Sequence, residues 1–87
     1  MLKIVFTKHA LERLKERGIS EKEAREFIRN PDKVERSLKF PKRFLIKKIY
    51  FNRRLGRDHL LLIVSERENS ILKIITVIDT SKISKYF

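Results

Sequence analysis

Apolar and polar residues alternate along this chain with two different periods, and the switch between them falls near Lys33. Thr7 stands ahead of Lys8-His9-Ala10-Leu11-Glu12-Arg13-Leu14-Lys15-Glu16-Arg17, where a hydroxyl can accept from the first free N–H groups of a helix. Phe6 and Leu11 are spaced as a hydrophobic staple, and Gly18 supplies a left-handed stop. Ser20-Glu21-Lys22-Glu23 is a capping box, Ala24, Phe27 and Ile28 recur at helical spacing, and Asn30-Pro31 ends the run. Only Gly18 and Ile19 separate the two predicted helices, so they form a tight hairpin or corner whose apolar faces meet one shared surface.

After Lys33 the period is that of strands. The pattern predicts strands over Val34 to Phe40, Arg43 to Phe51, His59 to Glu66 and Ser70 to Asp79, separated by turns at Pro41-Lys42, Asn52 to Gly56 and Glu68-Asn69. Short turns between successive strands imply an antiparallel meander. The predicted architecture is therefore α+β, two N-terminal helices packed on one face of a four-stranded antiparallel meander. On the last strand, strict alternation sets Leu72, Ile74 and Ile78 against Ile71, Ile75 and Val77. The last three strands are apolar on both faces, and two helices cover only one. The second face then calls for the C-terminal segment Ser81 to Phe87, a second copy of the chain, or a partner protein.

At 87 residues the chain supplies one core, so residues 1–87 are expected to form a single domain. No apolar stretch approaches the roughly 18 residues of a membrane span. The run Met1-Leu2-Lys3-Ile4-Val5-Phe6 lacks the basic start, long apolar core and small-residue cleavage site of an export signal, which predicts a cytoplasmic protein. Cysteine is absent and the two histidines lie fifty residues apart, so neither a metal site nor a cofactor is expected. The high share of charged residues, 38%, leans toward an organism living hot.

The net charge of +11 is concentrated in one quarter of the chain. From Arg36 to Arg57 there are nine basic residues and no acidic one, whereas the other 65 residues hold 13 basic and 11 acidic side chains. A surface that serves only solubility intersperses both signs; segregation points to a polyanion. Phe40, Phe44, Tyr50 and Phe51 are interleaved with these cations, the combination that stacked bases and phosphates require together, although most of the rings suit a core equally well.

The stretch from Phe6 to Ser20, with Asn30-Pro31-Asp32 some ten residues later, resembles the opening of a family of small bacterial and archaeal proteins whose domain carries no assigned function. That family is placed in the nuclease fold of barnase, several colicin toxins and the RelE-like messenger-RNA interferases. The resemblance implies a RelE- or barnase-like toxin fold, metal-independent RNA cleavage and an antitoxin partner. RNA is thus the expected ligand of a toxin-antitoxin type ribonuclease; the alternative is a binding or regulatory module of the same fold without catalysis.

A ribonuclease without metal must deprotonate a 2'-hydroxyl, stabilise a pentacoordinate phosphorane and protonate the departing 5'-oxygen. His9 and Arg13, at i and i+4, share one stripe of the first helix, with Arg17 a turn further on. Both are also positions that the family pattern repeats. A helical wheel sets His9 nearly opposite the buried face, where a surface histidine is the plainer reading. His59 opens the third strand beside the basic loop and suits a proton donor, or a structural pair with the neighbouring Asp58. Lys47 and Lys48 point to opposite faces, so at most one can reach a site. Arg53, Arg54 and Arg57 are the loop cations, and Thr76 could bond a phosphate oxygen. The expected catalytic set is His9, Arg13 and His59, and the expected RNA contacts are Arg17, Lys47, Lys48, Arg53, Arg54, Arg57 and Thr76.

Overall fold

The structure, a computed structural model, describes residues 2–87. In chain order the elements are β1 (Lys3–Phe6), α1 (Lys8–Glu16), α2 (Glu21–Arg29), β2 (Lys33–Arg36), β3 (Arg43–Asn52), β4 (Arg57–Glu68), β5 (Ile71–Thr80) and α3 (Ile83–Tyr86). The expected four-stranded meander on two helices is corrected to a five-stranded mixed sheet, ordered β1-β5-β4-β3-β2, with three helices. Strands β2 to β5 do pair antiparallel in chain order. The fifth strand, β1, is parallel to β5 and pairs with it from Lys3↔Ile71 to Phe6↔Ile74. Four residues are too few to display a period of two, and the partner strand lies near the other end of the chain.

The helix ends form as their sequences dictate. Thr7 accepts from Ala10 N at 3.1 Å, and Ser20 and Glu23 complete a reciprocal capping box. Gly18, at φ +71°, takes the left-handed position past the end of α1. Strand β2 is shorter than expected, because Ser37 turns the chain: its hydroxyl accepts from Phe40 N at 3.1 Å and leaves Ser37 to Lys42 as a loop.

Both helices lie on one face of the sheet. Ala10, Leu14, Ile19 and Ala24 pack there against Ile46, Leu61, Ile63, Leu72, Ile74 and Val77. The presence of Val77 in that set contradicts strict alternation along β5. A β-bulge between Val64 and Ser65 makes Val64 face Thr76 while Ser65 faces Ile74, so Ile75 is an extra residue. The insertion shifts the phase of everything after it. Val77 turns to the helices, while Ile78 turns to the other face and stays 51% exposed. The bulge is held by Thr7, whose hydroxyl donates to the Ile75 carbonyl at 2.8 Å while its N–H donates to Ile74 O at 3.0 Å.

On the second face the C-terminal segment supplies cover. Helix α3 packs on β4, and Leu60 beneath it is fully buried. Lys47 reaches the Tyr86 carbonyl at 2.6 Å and pairs with Glu35; Lys33 reaches the Phe87 carbonyl at 2.8 Å. Among the described residues no helix is long and apolar enough to cross a membrane.

Because Thr7 both caps α1 and holds the bulge, Thr7→Ala should destabilise the protein by about 1–2 kcal/mol, measured by urea denaturation. Thr7→Ser, which keeps the oxygen, should recover most of that loss.

Candidate nucleic-acid interface

The β3–β4 hairpin turns through Arg53-Arg54-Leu55-Gly56. Asn52, buried at its base, accepts from Arg54 N at 3.1 Å and from Leu55 N at 3.0 Å through its side-chain oxygen. Its backbone carbonyl accepts from Gly56 N at 2.8 Å, and Gly56 closes the turn at φ +66°. With three hydrogen bonds closing the turn onto Asn52, the arginines project from a fixed turn. Arg54 folds back over the end of α1 and donates to the Glu16 carbonyl at 2.7 Å. A Cβ at Gly18 would sit 3.2 Å from that guanidinium, so the glycine makes room for Arg54 as well as for its own backbone. Arg53 pairs with Glu23 at 3.3 Å and remains 73% exposed.

Beneath the turn lies a group of buried polar side chains. Tyr50 and His59 are cross-strand partners on β3 and β4. Both bond the Asp79 carboxylate on β5: the Tyr50 hydroxyl donates to Oδ1 at 2.5 Å, and His59 Nδ1 lies 3.0 and 3.2 Å from the two oxygens. The side chains of His59 and Asp79 are only 4% and 7% exposed, which would be costly for an isolated carboxylate without these two partners. His59 Nε2 is buried with no hydrogen-bond partner among the described residues. Burial, the hydrogen bond to Asp79 and the charge of Asp79 together raise the Tyr50 phenol well above the ordinary tyrosine range, against smaller opposing effects of Asn52 and Arg17.

Two concavities, of about 180 and about 200 Å³, open on either side of this group. Arg17, Asn52 and Arg54 line both, Tyr50 and Arg53 line the first, and Asp79 lines the second. The two adjoin across Arg17, Asn52 and Arg54 to make an arginine-lined cleft, with the phenol in one part and the carboxylate in the other.

The residues expected from the sequence are thus divided. Arg17, Arg53 and Arg54 are brought together, with His59 behind the wall. Arg57, opposite Asn52 at the hairpin base, is exposed. His9 is exposed on the first turn of α1, about 12 Å of helix from Arg17 at 1.5 Å per residue. Arg13 pairs with Glu16 at 3.6 Å. Lys47 is buried against α3, and Lys48, on the other face, donates to the Asn30 carbonyl at 2.9 Å. Thr76, pairing with Val64 beyond the bulge, faces away from the helices rather than sharing the face of Ile74.

Asn52 and Asp79 are absent from the expected site residues, and Tyr50 enters the sequence analysis only as one of the rings interleaved with the cations. Two of them carry a signal in hindsight: an asparagine directly before Arg-Arg is a turn former, and Asp79 is the one acid in the last apolar strand. The partner of His59 is Asp79, not its sequence neighbour Asp58, which pairs with Phe51.

Fold and cleft together define a small α+β domain with a mixed sheet and a cationic hairpin cleft. A family model, the domain of unknown function DUF4258, matches residues 6–79, and the chain belongs to that family. No curated protein and no solved structure matches it.

The raised phenol makes an alkaline prediction. The folded state holds the Tyr50 proton more tightly than the unfolded chain does, so its contribution to stability is intact below about pH 10 and falls as pH rises beyond the ordinary tyrosine value. Denaturation midpoints should drop above pH 10 more steeply in the wild type than in Tyr50→Phe, and the difference spectrum between the two should show phenolate only well above that pH.

Proposed function

We propose that the protein binds single-stranded RNA in this cleft and cleaves it without a metal ion. The observation that carries the reading is the convergence of Arg17, Arg53 and Arg54 over the Tyr50–Asp79–His59 array. Arginine suits the task because its planar fork binds phosphate oxygens in pairs and keeps its charge at every working pH. In the reaction the 2'-oxygen bonds to phosphorus as its proton passes to the Asp79 carboxylate. The bond from phosphorus to the 5'-oxygen breaks, and Tyr50 protonates the leaving group. The products are a 2',3'-cyclic phosphate and a 5'-hydroxyl. Arg17 and Arg54 stabilise the added negative charge of the phosphorane, and His59 positions Asp79 through Nδ1.

The burial of His59 and Asp79 favours a second reading, in which the array is structural and the cleft binds RNA without cutting it. Binding itself is tested with a fluorescent five-nucleotide RNA. Four phosphates against four arginines set a ceiling, so log affinity should fall with log salt with a slope of about −2.8 at most. Replacing Arg53, Arg54 and Arg57 by Ala should flatten it to about −0.7. An unchanged slope would move the site elsewhere.

Cleavage is tested separately. A longer RNA incubated in EDTA should yield cyclic phosphate ends, and Tyr50→Phe should slow this by roughly 100- to 10,000-fold while leaving binding intact. If His9→Ala abolishes cutting and Tyr50→Phe does not, the chemistry belongs to the exposed stripe of α1. No product from the wild type, with any protein partner removed and ribosomes supplied, leaves the binding reading.

A further inference from the structure

The uninterrupted basic stretch of the sequence does not fold into one patch. Strand β3 runs through its middle, and ten residues at about 3.4 Å each hold its two ends roughly 30 Å apart. Arg53, Arg54 and Arg57 lie at one end, in or beside the cleft. Arg36, Lys39, Lys42 and Arg43 lie at the other, around the Ser37 to Lys42 loop. The two lysines between them are engaged with the protein's own carbonyls and carboxylates.

The loop is built unlike an ordinary solvated turn. Leu38 is completely exposed and Phe40 is 47% exposed. The Phe40 ring is flanked by Arg43, whose guanidinium lies 4.7 Å from its centroid, and by Lys39 at 5.8 Å. Arg36 braces the loop by donating to the Pro41 carbonyl at 3.0 Å. A half-exposed aromatic ring held beside two cations is what an unpaired base and its phosphates fit together, and a duplex cannot offer that base without unstacking it. Arg43 pairs with Glu66 at 3.1 Å, while Arg36, Lys39 and Lys42 pair with no acid among the described residues and give this end the same sign of charge as the cleft.

Resting on the RNA-binding reading of the cleft, we propose that the Ser37 to Lys42 loop is a second contact for the same RNA strand, with Phe40 as a stacking platform, so that one single strand is held at both ends of β3. A stacked strand advances about 3.4 Å per nucleotide, so the span corresponds to about nine nucleotides or fewer. Five nucleotides reach one end only; twelve reach both.

The test compares five- and twelve-nucleotide single-stranded RNAs by fluorescence anisotropy, against wild type, Lys39→Ala/Lys42→Ala and Phe40→Ala, all of them changes in an exposed loop whose folding is checked by urea midpoint. The twelve-nucleotide strand should bind at least tenfold more tightly than the five-nucleotide one. The double variant should flatten its salt slope by about 1.4 while leaving the five-nucleotide slope untouched, and Phe40→Ala should weaken the longer strand alone by about tenfold. Equal affinity for the two lengths, or a slope on the longer strand that ignores Lys39 and Lys42, overturns the proposal. So does loop-dependent binding to phosphatidylserine vesicles with none to the longer RNA, which would make Leu38 and Phe40 a membrane-surface anchor. Failure of the cleft reading is distinguishable: the five-nucleotide strand then ignores Arg53 and Arg54, and the two-ended grip falls with it.

Discussion

The hydroxyl of Thr7 is the point on which the arrangement of the molecule turns. It closes the first turn of α1 and, by taking the carbonyl of Ile75, accommodates the extra residue of the β5 bulge. Were β5 regular, its phase after Ile74 would carry Ile78 to the helices and Asp79 to the opposite face. With the bulge, Val77 enters the core and Asp79 arrives beside Tyr50 and His59. One side-chain oxygen therefore links the start of the first helix, the packing of the last strand and the only carboxylate that these two side chains share among the described residues.

Electrostatics in the cleft run on two levels. At the rim, Arg53 and Arg54 are exposed and lean on Glu23 and on the carbonyl of Glu16. In the wall, Asp79 is nearly dry, and two donors stand in for the water it has lost. Low local polarisability makes each of these bonds stronger than it would be in solvent, and makes the unpartnered Nε2 of His59 conspicuous. The rim is therefore solvated and the wall dry, on one and the same hairpin base.

The helices were legible because their signals are local. Thr7, the Ser20 capping box, Gly18 and Asn30-Pro31 act within a turn of themselves, and each ends or starts an element where expected. The hairpin loops were legible from their turn residues, though Ser37 ended β2 earlier than Pro41 suggested. What stayed hidden depends on partners distant along the chain. The parallel pairing of β1 joins the two ends of the sequence, and the bulge is a property of two strands together that neither announces alone. The site followed the same division: the arginines could be read from their crowding, whereas Tyr50, Asp79 and the direction of His59 required the register. Lys47 shows the opposite case, a charge that looked available in sequence and lies buried under α3.

The two loops at the ends of β3 differ in what they rest on, and that governs where the chain tolerates change. Arg53 to Gly56 is closed by three bonds to Asn52 and roofed over Gly18 by Arg54, so an added residue there would detach the arginines from α1. Ser37 to Lys42 is also closed by backbone bonds, from Ser37 N to Arg43 O, Arg43 N to Phe40 O and Arg67 N to Lys42 O, but its tip at Leu38 is fully exposed, the kind of position that accepts insertions without disturbing a core. A grafted loop at Leu38 is therefore the natural route to altering this end of the molecule without rebuilding the hairpin at the other.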